Sequence, residues 1–176
     1  DGELPTGMTG KGTEAEPFEL KTAEHLAWFR DFVNEGNMKA CAKIADDVEE
    51  IDMSTVCHKA DAEKQVAELS WTPIGNYSKQ YQGTFDGNGK TIRNLFISST
   101  SNEIGFFGHA ADCRIKNITF DNAKVKGNDN CSTGILAGCA GSCVIENIKT
   151  TGNCSVEGNY MFVDRKSGSA GMPRPI

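Results

Sequence analysis

The chain has 176 residues and a net charge of −6, with 24 acidic and 18 basic residues. This length favours a single domain with a sizeable hydrophobic core. Because the lysines and arginines are scattered and outnumbered, the composition argues against nucleic acid and anionic membrane surfaces as partners. No apolar run approaches the roughly 18 residues that a transmembrane helix needs, so we expect no membrane insertion of this segment.

The N-terminal part of the chain predicts a linker, a short strand and a helix. Residues 1–16 are rich in Gly, Thr and Glu and are predicted to be a linker. Phe18 and Leu20 alternate with charged residues, which indicates a short strand. Apolar residues then recur at helical spacing over about 22–34, where Thr22 fits the N-cap position. We expect this helix to cap one end of the domain.

After the helix the apolar periodicity changes. The alternation around Ala42, Ile44 and Ile51 predicts short strands. Residues 59–69 are polar with a helical spacing of their few apolar residues, which suggests a short helix. From residue 71 onward, short β-type runs are punctuated by Gly, Asn, Asp and Ser.

A motif recurs three times in this β-rich part. "TIRNLF" (91–96) returns as "RIKNIT" (114–119) and "VIENIK" (144–149), with spacings of 23 and 30 residues. Repeats of this length built from short strands predict a parallel β-helix, an all-β solenoid in which equivalent residues stack about 4.8 Å apart. The predicted inward columns are Ile92/Ile115/Ile145 and Leu95/Ile118/Ile148.

The recurring asparagines of the motif are Asn94, Asn117 and Asn147. Stacked above one another, their amides would bond to each other and to turn carbonyls, which avoids buried unpaired groups. Asn also tolerates the left-handed conformation of a sharp corner. We favour such an asparagine ladder over three ordinary surface turns, because the flanking aliphatic residues recur as well.

The order of these motifs resembles the GLUG-motif repeat family of bacterial surface proteins. The resemblance is carried by "EIGFFGHAADCRIKNITF" and "TGILAGCAGSCVIEN", each with a glycine-flanked step followed by an I-x-N element, and it extends over about residues 11–158. It implies a right-handed parallel β-helix with an N-terminal cap on secreted or cell-surface proteins, acting as an adhesin or scaffold part. The seven cysteines and the insertion at 55–70 depart from the family pattern.

The cysteines indicate disulfides rather than scattered free thiols, because such a density is easier to keep in an oxidising compartment. No pair has C-x-x-C spacing and the three histidines lie far apart in sequence, so no zinc cluster and no other metal site is expected. Cys113 and Cys143 occupy equivalent positions in successive repeats, within the separation that a disulfide accepts. The predicted pairs are Cys113–Cys143, Cys131–Cys154 and Cys41–Cys57, which leaves Cys139 unpaired.

Four N-x-S/T sequons occur in the chain. Asn76, Asn130 and Asn153 are weak candidates for glycosylation. Asn117 is expected to face inward and to remain unmodified.

The acidic side chains offer two alternatives for chemistry. The cluster at 46–52 has the oxygen ligands that calcium prefers, but it lacks an EF-hand pattern and is better explained as a solvated strand edge. A polysaccharide lyase or hydrolase would need paired carboxylates on one outer face. Asp86, Asp112 and Asp121 are the default candidates, and no spacing singles them out. We therefore expect no catalytic residues and no cofactor.

The sequence thus predicts a capped β-helix domain over 17–163, with coils over about 71–163 and a linker-like tail at 164–176. The predicted function is that of a non-enzymatic structural or adhesive module, secreted or at the cell surface, or a subunit of a surface filament. Its expected partners are a surface protein, a glycan, or copies of itself stacked head to tail. The alternative is a carbohydrate-active β-helix enzyme.

Overall fold

The computed structural model describes residues 3–128 and 131–158. Over these residues the protein is all-β, with one α-helix and a short 3-10 helix at Met53–Thr55. The elements are β1 (Phe18–Leu20), α1 (Ala23–Asn34), β2 (Ala42–Ile44), β3 (Glu50–Asp52), β4 (Thr84–Arg93), β5 (Phe96–Ser98), β6 (Glu103–Ile104), β7 (Phe107–Ala111), β8 (Arg114–Asp121), β9 (Lys124–Lys126), β10 (Ser132–Thr133), β11 (Ala137–Gly141), β12 (Val144–Thr151) and β13 (Ser155–Glu157). In this described part, no helix has both the length and the apolar character to cross a membrane.

All pairings between these strands are parallel. The largest sheet has the order β1-β2-β4-β8-β12, with β3 also on β4, and a second has the order β13-β9-β5. Two small sheets pair β6 with β10 and β7 with β11. Two neighbouring parallel strands need a long connection between the end of one and the start of the other. In this chain, the other strands and turns of the same repeat form that connection.

The register of the large sheet corrects the predicted side-chain columns. Ile115 pairs with Ile145, as predicted, but its partner on β4 is Phe85. Ile92 pairs with Phe120 instead. The predicted column that included Ile92 is therefore wrong at its first member. The segment "TIR" (91–93) pairs with "TFD" (119–121) and not with "RIK" (114–116).

The second predicted column changes in the same way. Ile118 pairs with Ile148. Leu95 lies after the end of β4, where its carbonyl accepts a hydrogen bond from the backbone N–H of Lys124 at 2.8 Å. It therefore neighbours the residues that lead into β9 and does not stack on Ile118.

A β-bulge in β4 shifts the register by two residues and does not cause the misalignment. The observed offset between β4 and β8 is 30 residues at Asp86 and Lys116 and 28 residues at Lys90 and Ile118, whereas the predicted alignment used 23. The irregularity lies in "DGNGK", residues 86–90. Asn88 and Gly89 take positive φ values of 55° and 73° there. The neighbouring Gly87 is required by close packing, because a Cβ atom on it would lie 2.3 Å from the carbonyl oxygen of Asn117.

The predicted helix is present as α1. The Thr22 side chain caps it by accepting a hydrogen bond from the backbone N–H of His25 at 3.1 Å. Its buried face carries Phe29, whose ring centroid lies 6.1 Å from that of Tyr81 and 6.0 Å from that of Phe85. The helix thus covers the aromatic residues at the β1–β2 end of the large sheet.

Two other segments differ from the prediction. Residues 3–16 are packed against the domain: Met8 is buried, and Thr9 forms an antiparallel bridge with Glu19. Residues 59–69 contain no helix, because antiparallel bridges at either side of a turn join this segment to itself. The predicted tail, Asn130 and the last residues of the predicted coils, 159–163, lie outside the described residues.

The core between the sheets is dominated by aromatic side chains. Phe106 stacks on Trp71 with a centroid distance of 5.6 Å, and it contacts Phe107 edge to face at 5.2 Å. The Trp71 indole N–H donates to the Phe106 carbonyl at 3.2 Å, so its polar group is satisfied although the residue is buried. Large flat side chains fill the interior and hold the short strands in place.

Candidate functional site

The asparagines of the repeats form two columns rather than one. In the first, Asn147 Nδ2 donates to Asn117 Oδ1 at 3.0 Å, and Asn117 Nδ2 donates to Asp86 Oδ1 at 3.3 Å. Asn94 is absent from this column, because Arg93 pairs with Asp121 and Asn94 therefore lies beside Asn122. The predicted ladder of three is therefore correct for two of its members.

The second column contains Asn94. Asn122 Nδ2 donates to Asn94 Oδ1 at 2.8 Å, and Asn94 Nδ2 donates to Asp52 Oδ1 at 3.0 Å. Burial raises the pKa of Asp52, but hydrogen bonds from Ser54 and Asn94 outweigh it, so that this pKa lies below its ordinary value. Each column thus ends on a carboxylate that accepts from the last amide.

The corner conformation of these asparagines agrees with the sequence-based expectation. Asn94, Asn117 and Asn147 have φ values of 65°, 61° and 56°, and Asn122 has 54°. Asn117 and Asn94 are half-buried, while Asn147 is exposed at the last described repeat. Asn94 and Asn122 lie between successive strands, whereas Asn117 and Asn147 lie within β8 and β12, where their left-handed conformation interrupts the extended backbone.

Cys113 and Cys143 lie on the same side of neighbouring repeats. All seven cysteines are free thiols in the structure, and the Sγ atoms of this pair are 2.7 Å apart. The Cys113 thiol donates a hydrogen bond that lowers the pKa of Cys143 to about 7. The same bond raises the pKa of Cys113, because that thiol must keep its proton. A disulfide between them stays a prediction that this arrangement favours.

The structure does not bring the other two predicted pairs together. Cys41 precedes β2, beside the start of β4, whereas Cys57 Sγ contacts the backbone N–H of Phe96 at 3.3 Å, beyond the end of β4. The ten-residue strand β4 spans roughly 30 Å. A disulfide accepts a Cα separation of about 7 Å at most, so the Cys41–Cys57 pairing is wrong.

The Cys131–Cys154 pairing fails for a similar reason. Cys154 Sγ lies 3.3 Å from the backbone nitrogen of Ala123, just before β9. Cys131 Sγ lies 2.7 Å from Asn128 Oδ1, after β9. The strand between them is roughly 10 Å long, which exceeds the reach of a disulfide.

Two of the sequon asparagines are exposed on described residues. Asn76 Oδ1 accepts hydrogen bonds from the backbone N–H groups of Ser78 and Lys79, which closes a tight turn. Asn153 is exposed beside β13. Their glycosylation stays a prediction.

The acidic residues between 46 and 52 are engaged with separate partners. Asp47 pairs with Lys21 at 3.1 Å, and Glu50 pairs with Arg93 at 3.1 Å. A hydrogen bond from Asn88 and the nearby Lys43 lower the pKa of Asp46 below its ordinary value. These carboxylates stabilise the edges of the sheet and do not converge on a common point.

The default catalytic candidates are also held apart by structural contacts. Asp86 accepts from the backbone of Asn88 at 2.7 Å, and Asp121 forms an ion pair with Arg93 at 2.9 Å. Asp112 is an exposed turn residue with a φ of 54°. Among the described residues, these three aspartates form no carboxylate pair of the kind that glycoside hydrolysis requires.

One mixed group of side chains does converge, although the sequence alone did not predict it. Glu103, His109 and Cys139 present ligand atoms that all lie within 4.8 Å of one another. His109 Nδ1 is 2.5 Å from Glu103 Oε2, and its Nε2 is 3.7 Å from Cys139 Sγ. The register offered a signal, because His109 and Cys139 are 30 residues apart and occupy equivalent positions of successive repeats.

Comparisons with known proteins give two relatives. The chain is 34% identical to Halomucin of Haloquadratum walsbyi over 186 aligned residues. This alignment covers 96% of this chain and 2% of that protein. The chain is 31% identical over 100 residues to a protein of Evansella cellulosilytica described as a Gly-rich membrane protein, which covers 56% of this chain and 10% of that protein. The chain thus spans only a small part of either relative. No family model and no solved structure matches it.

Proposed function

We propose that the chain is a right-handed parallel β-helix module, of the GLUG-repeat type, with a structural or adhesive role in a secreted or surface-exposed protein. The observation that carries this proposal is the parallel pairing of successive repeats, strand for strand, with aliphatic residues above one another at Ile115 and Ile145 and at Ile118 and Ile148. Such stacking makes an extended and rigid body from short segments, as a spacer or a binding surface requires.

The surroundings of the acidic residues support a non-enzymatic role. Asp86 and Asp121 each serve a structural hydrogen bond or ion pair. The three aspartates that the sequence offers as catalytic candidates form no pair of free carboxylates, whereas a polysaccharide hydrolase needs an acid and a base on the two sides of the scissile bond. The names of the two relatives, Halomucin and a Gly-rich membrane protein, are compatible with a surface location.

An adhesive role would use the outer face of the large sheet. A shallow depression there is lined by charged and polar side chains of both signs, among them Lys43, Asp86, Arg114 and Lys116. Alternating charges and hydroxyl groups on a flat strand surface suit the hydroxyl and carboxylate groups of a polysaccharide better than an apolar ligand.

The test is incubation of the purified chain with a panel of neutral and acidic polysaccharides, followed in parallel by co-sedimentation and by the appearance of new chain ends. We expect binding to one class of polysaccharide or to none, and no cleavage in any sample. New reducing or unsaturated ends formed by the wild type and lost in the Asp86→Asn, Asp112→Asn or Asp121→Asn variant would establish the carbohydrate-active enzyme instead.

A further inference from the structure

The group formed by Glu103, His109 and Cys139 is assembled by the stacking of repeats. His109 on β7 and Cys139 on β11 are register partners, and Glu103 opens β6 in the same repeat as His109. Gly138 permits the close approach, because a Cβ atom at this position would lie 2.4 Å from the backbone nitrogen of Ile104 and 2.9 Å from the carbonyl carbon of Glu103. The backbone of β11, which carries Cys139, therefore lies in close contact with the backbone of β6, which carries Glu103.

The distances within this group match those of a tetrahedral metal site. Zinc binds His nitrogen at about 2.0–2.1 Å and Cys sulfur at about 2.3 Å, which places the two ligand atoms roughly 3.6 Å apart at a tetrahedral angle. The observed distance from His109 Nε2 to Cys139 Sγ is 3.7 Å. The other ring nitrogen, Nδ1, meets the carboxylate of Glu103. A carboxylate in this place fixes the tautomer and orientation of a metal-binding imidazole.

The ionised side chains of the group would also balance the charge of a divalent cation. Burial and the nearby Glu103 carboxylate raise the pKa of Cys139 to about 11, because a thiolate beside another anion in a poorly solvated place is unfavourable. A divalent cation reverses this balance, since one thiolate, one carboxylate and a neutral imidazole together neutralise its two charges. The side chains of His109 and Glu103 remain 12% and 16% exposed, which leaves a path for an ion to enter.

We propose that Glu103, His109 and Cys139 form a binding site for Zn²⁺, with the Cys139 sulfur and His109 Nε2 as ligands and the Glu103 carboxylate holding the imidazole and balancing the charge. The remaining positions of the tetrahedron are open to water or to a group from outside. Binding displaces the Cys139 proton, so the affinity falls as the pH is lowered. The site is independent of the structural or adhesive role proposed above.

The experiment measures binding of Zn²⁺ by calorimetry and of Co²⁺ by absorption, using the reduced full chain. We expect one ion per chain and a thiolate-to-cobalt charge-transfer band. Cys139→Ala should abolish the band, and Glu103→Gln should weaken Zn²⁺ binding by about 10- to 100-fold, as removal of a carboxylate behind a metal-binding His does. His109→Gln should weaken it at least as much.

Two controls separate this site from other thiols. The double variant Cys113→Ser/Cys143→Ser removes the neighbouring close pair of thiols and should keep the band and the stoichiometry. The variant His58→Gln removes an imidazole elsewhere and should bind as the wild type does. Circular dichroism establishes that each variant is folded, and Cys139→Ser replaces Cys139→Ala if the alanine variant is not. A wild type without a charge-transfer band, or a band that survives the loss of Cys139 and disappears with Cys113 and Cys143, would overturn the proposal.

Discussion

At the scale of single residues, the corner asparagines combine two roles that can be separated by mutation. Asn117 adopts a φ of 61° and links Asn147 to Asp86 through its amide. A glycine at this position keeps the backbone conformation but loses the amide, whereas an alanine loses the amide and also strains the backbone. The conformational cost for a residue with a Cβ atom is about 1–2 kcal/mol.

We therefore predict that Asn117→Ala lowers the free energy of unfolding by about 1–2 kcal/mol more than Asn117→Gly does. Asn117→Gly itself should cost about 1–3 kcal/mol, because two hydrogen bonds are lost. Urea unfolding followed by tryptophan fluorescence measures both, with the exposed Asn153→Ala as a control near zero. Equal losses for Ala and Gly would mean that the corner conformation contributes no strain.

The thiol of Cys143 should differ in reactivity from the other cysteines. Its pKa is lowered to about 7 by the Cys113 thiol, whereas burial raises the pKa of Cys57 to about 11. Since the thiolate is the reacting form, alkylation by iodoacetamide should be slow below pH 7 and should rise as the pH passes through 7. Mass spectrometry of digests identifies the modified residue. Cys154→Ser should keep this step in the pH profile, and a step that persists in Cys143→Ser would assign it to another thiol.

Oxidation should join Cys113 to Cys143. Their Sγ atoms are 2.7 Å apart, and the bond would close a loop between residues 30 apart in sequence. Closing such a loop stabilises a protein by roughly 3–4 kcal/mol in the chain-entropy description. We predict that oxidised glutathione removes two of the seven thiols and raises the melting temperature. Cys113→Ser should abolish both effects, while Cys41→Ser should leave them unchanged.

At the scale of elements, the glycine-flanked step sets how closely successive repeats approach. A Cβ atom on Gly138 would lie 2.4 Å from the backbone nitrogen of Ile104, while one on Gly141 in the same strand meets nothing within 4 Å. We predict that Gly138→Ala lowers the free energy of unfolding by about 1–3 kcal/mol, because packed backbone must move. Gly141→Ala should change it by less than about 0.5 kcal/mol. If the two variants are equally stable, the close approach has no energetic consequence.

Sequence reasoning succeeds for elements that carry a local signal. The helix has an apolar face and an N-cap, and both are visible within a dozen residues. The equivalence of Cys113 with Cys143 follows from an unbroken spacing of 30 residues. The first repeat is misaligned because the next repeat carries two segments that end in asparagine, "RIKN" (114–117) and "TFDN" (119–122), and the apolar pattern of "TIRN" (91–94) resembles the first, whereas the structure pairs it with the second.

The converging group was missed for a different physical reason. Glu103 and His109 are six residues apart and lie on different strands, and Cys139 belongs to the next repeat. Their contact depends on the exact register of two small sheets and on the close approach at Gly138. Metal-ligand motifs are recognised from sequence when one loop supplies several ligands, whereas here each strand supplies one.

At the scale of the whole molecule, the two ends of the large sheet differ. The first end is covered by α1, which packs Phe29 on Tyr81 and Phe85. At the other end, β12 pairs with β8, and no strand among the described residues lies on its second edge. Val144 is 46% exposed, and Ile145 and Ile148 are only half-buried. A parallel strand edge with apolar side chains accepts a further strand, so association should occur at this end and not at the capped one.

This asymmetry gives a prediction about assembly. Lysine on an edge strand blocks strand addition by charge and bulk, so the double variant Val144→Lys/Thr150→Lys, at two exposed positions of β12, should abolish any concentration-dependent association seen for the wild type by light scattering. A matched double variant at exposed positions away from the edge, Thr72→Lys/Tyr77→Lys, should associate as the wild type does. Electron microscopy then distinguishes the products, because a head-to-tail filament requires copies to dock on the helix-covered end, whereas edge-to-edge pairing through β12 stops at a dimer. Filaments that persist in the β12 variant would show that the growing contact lies elsewhere on the molecule.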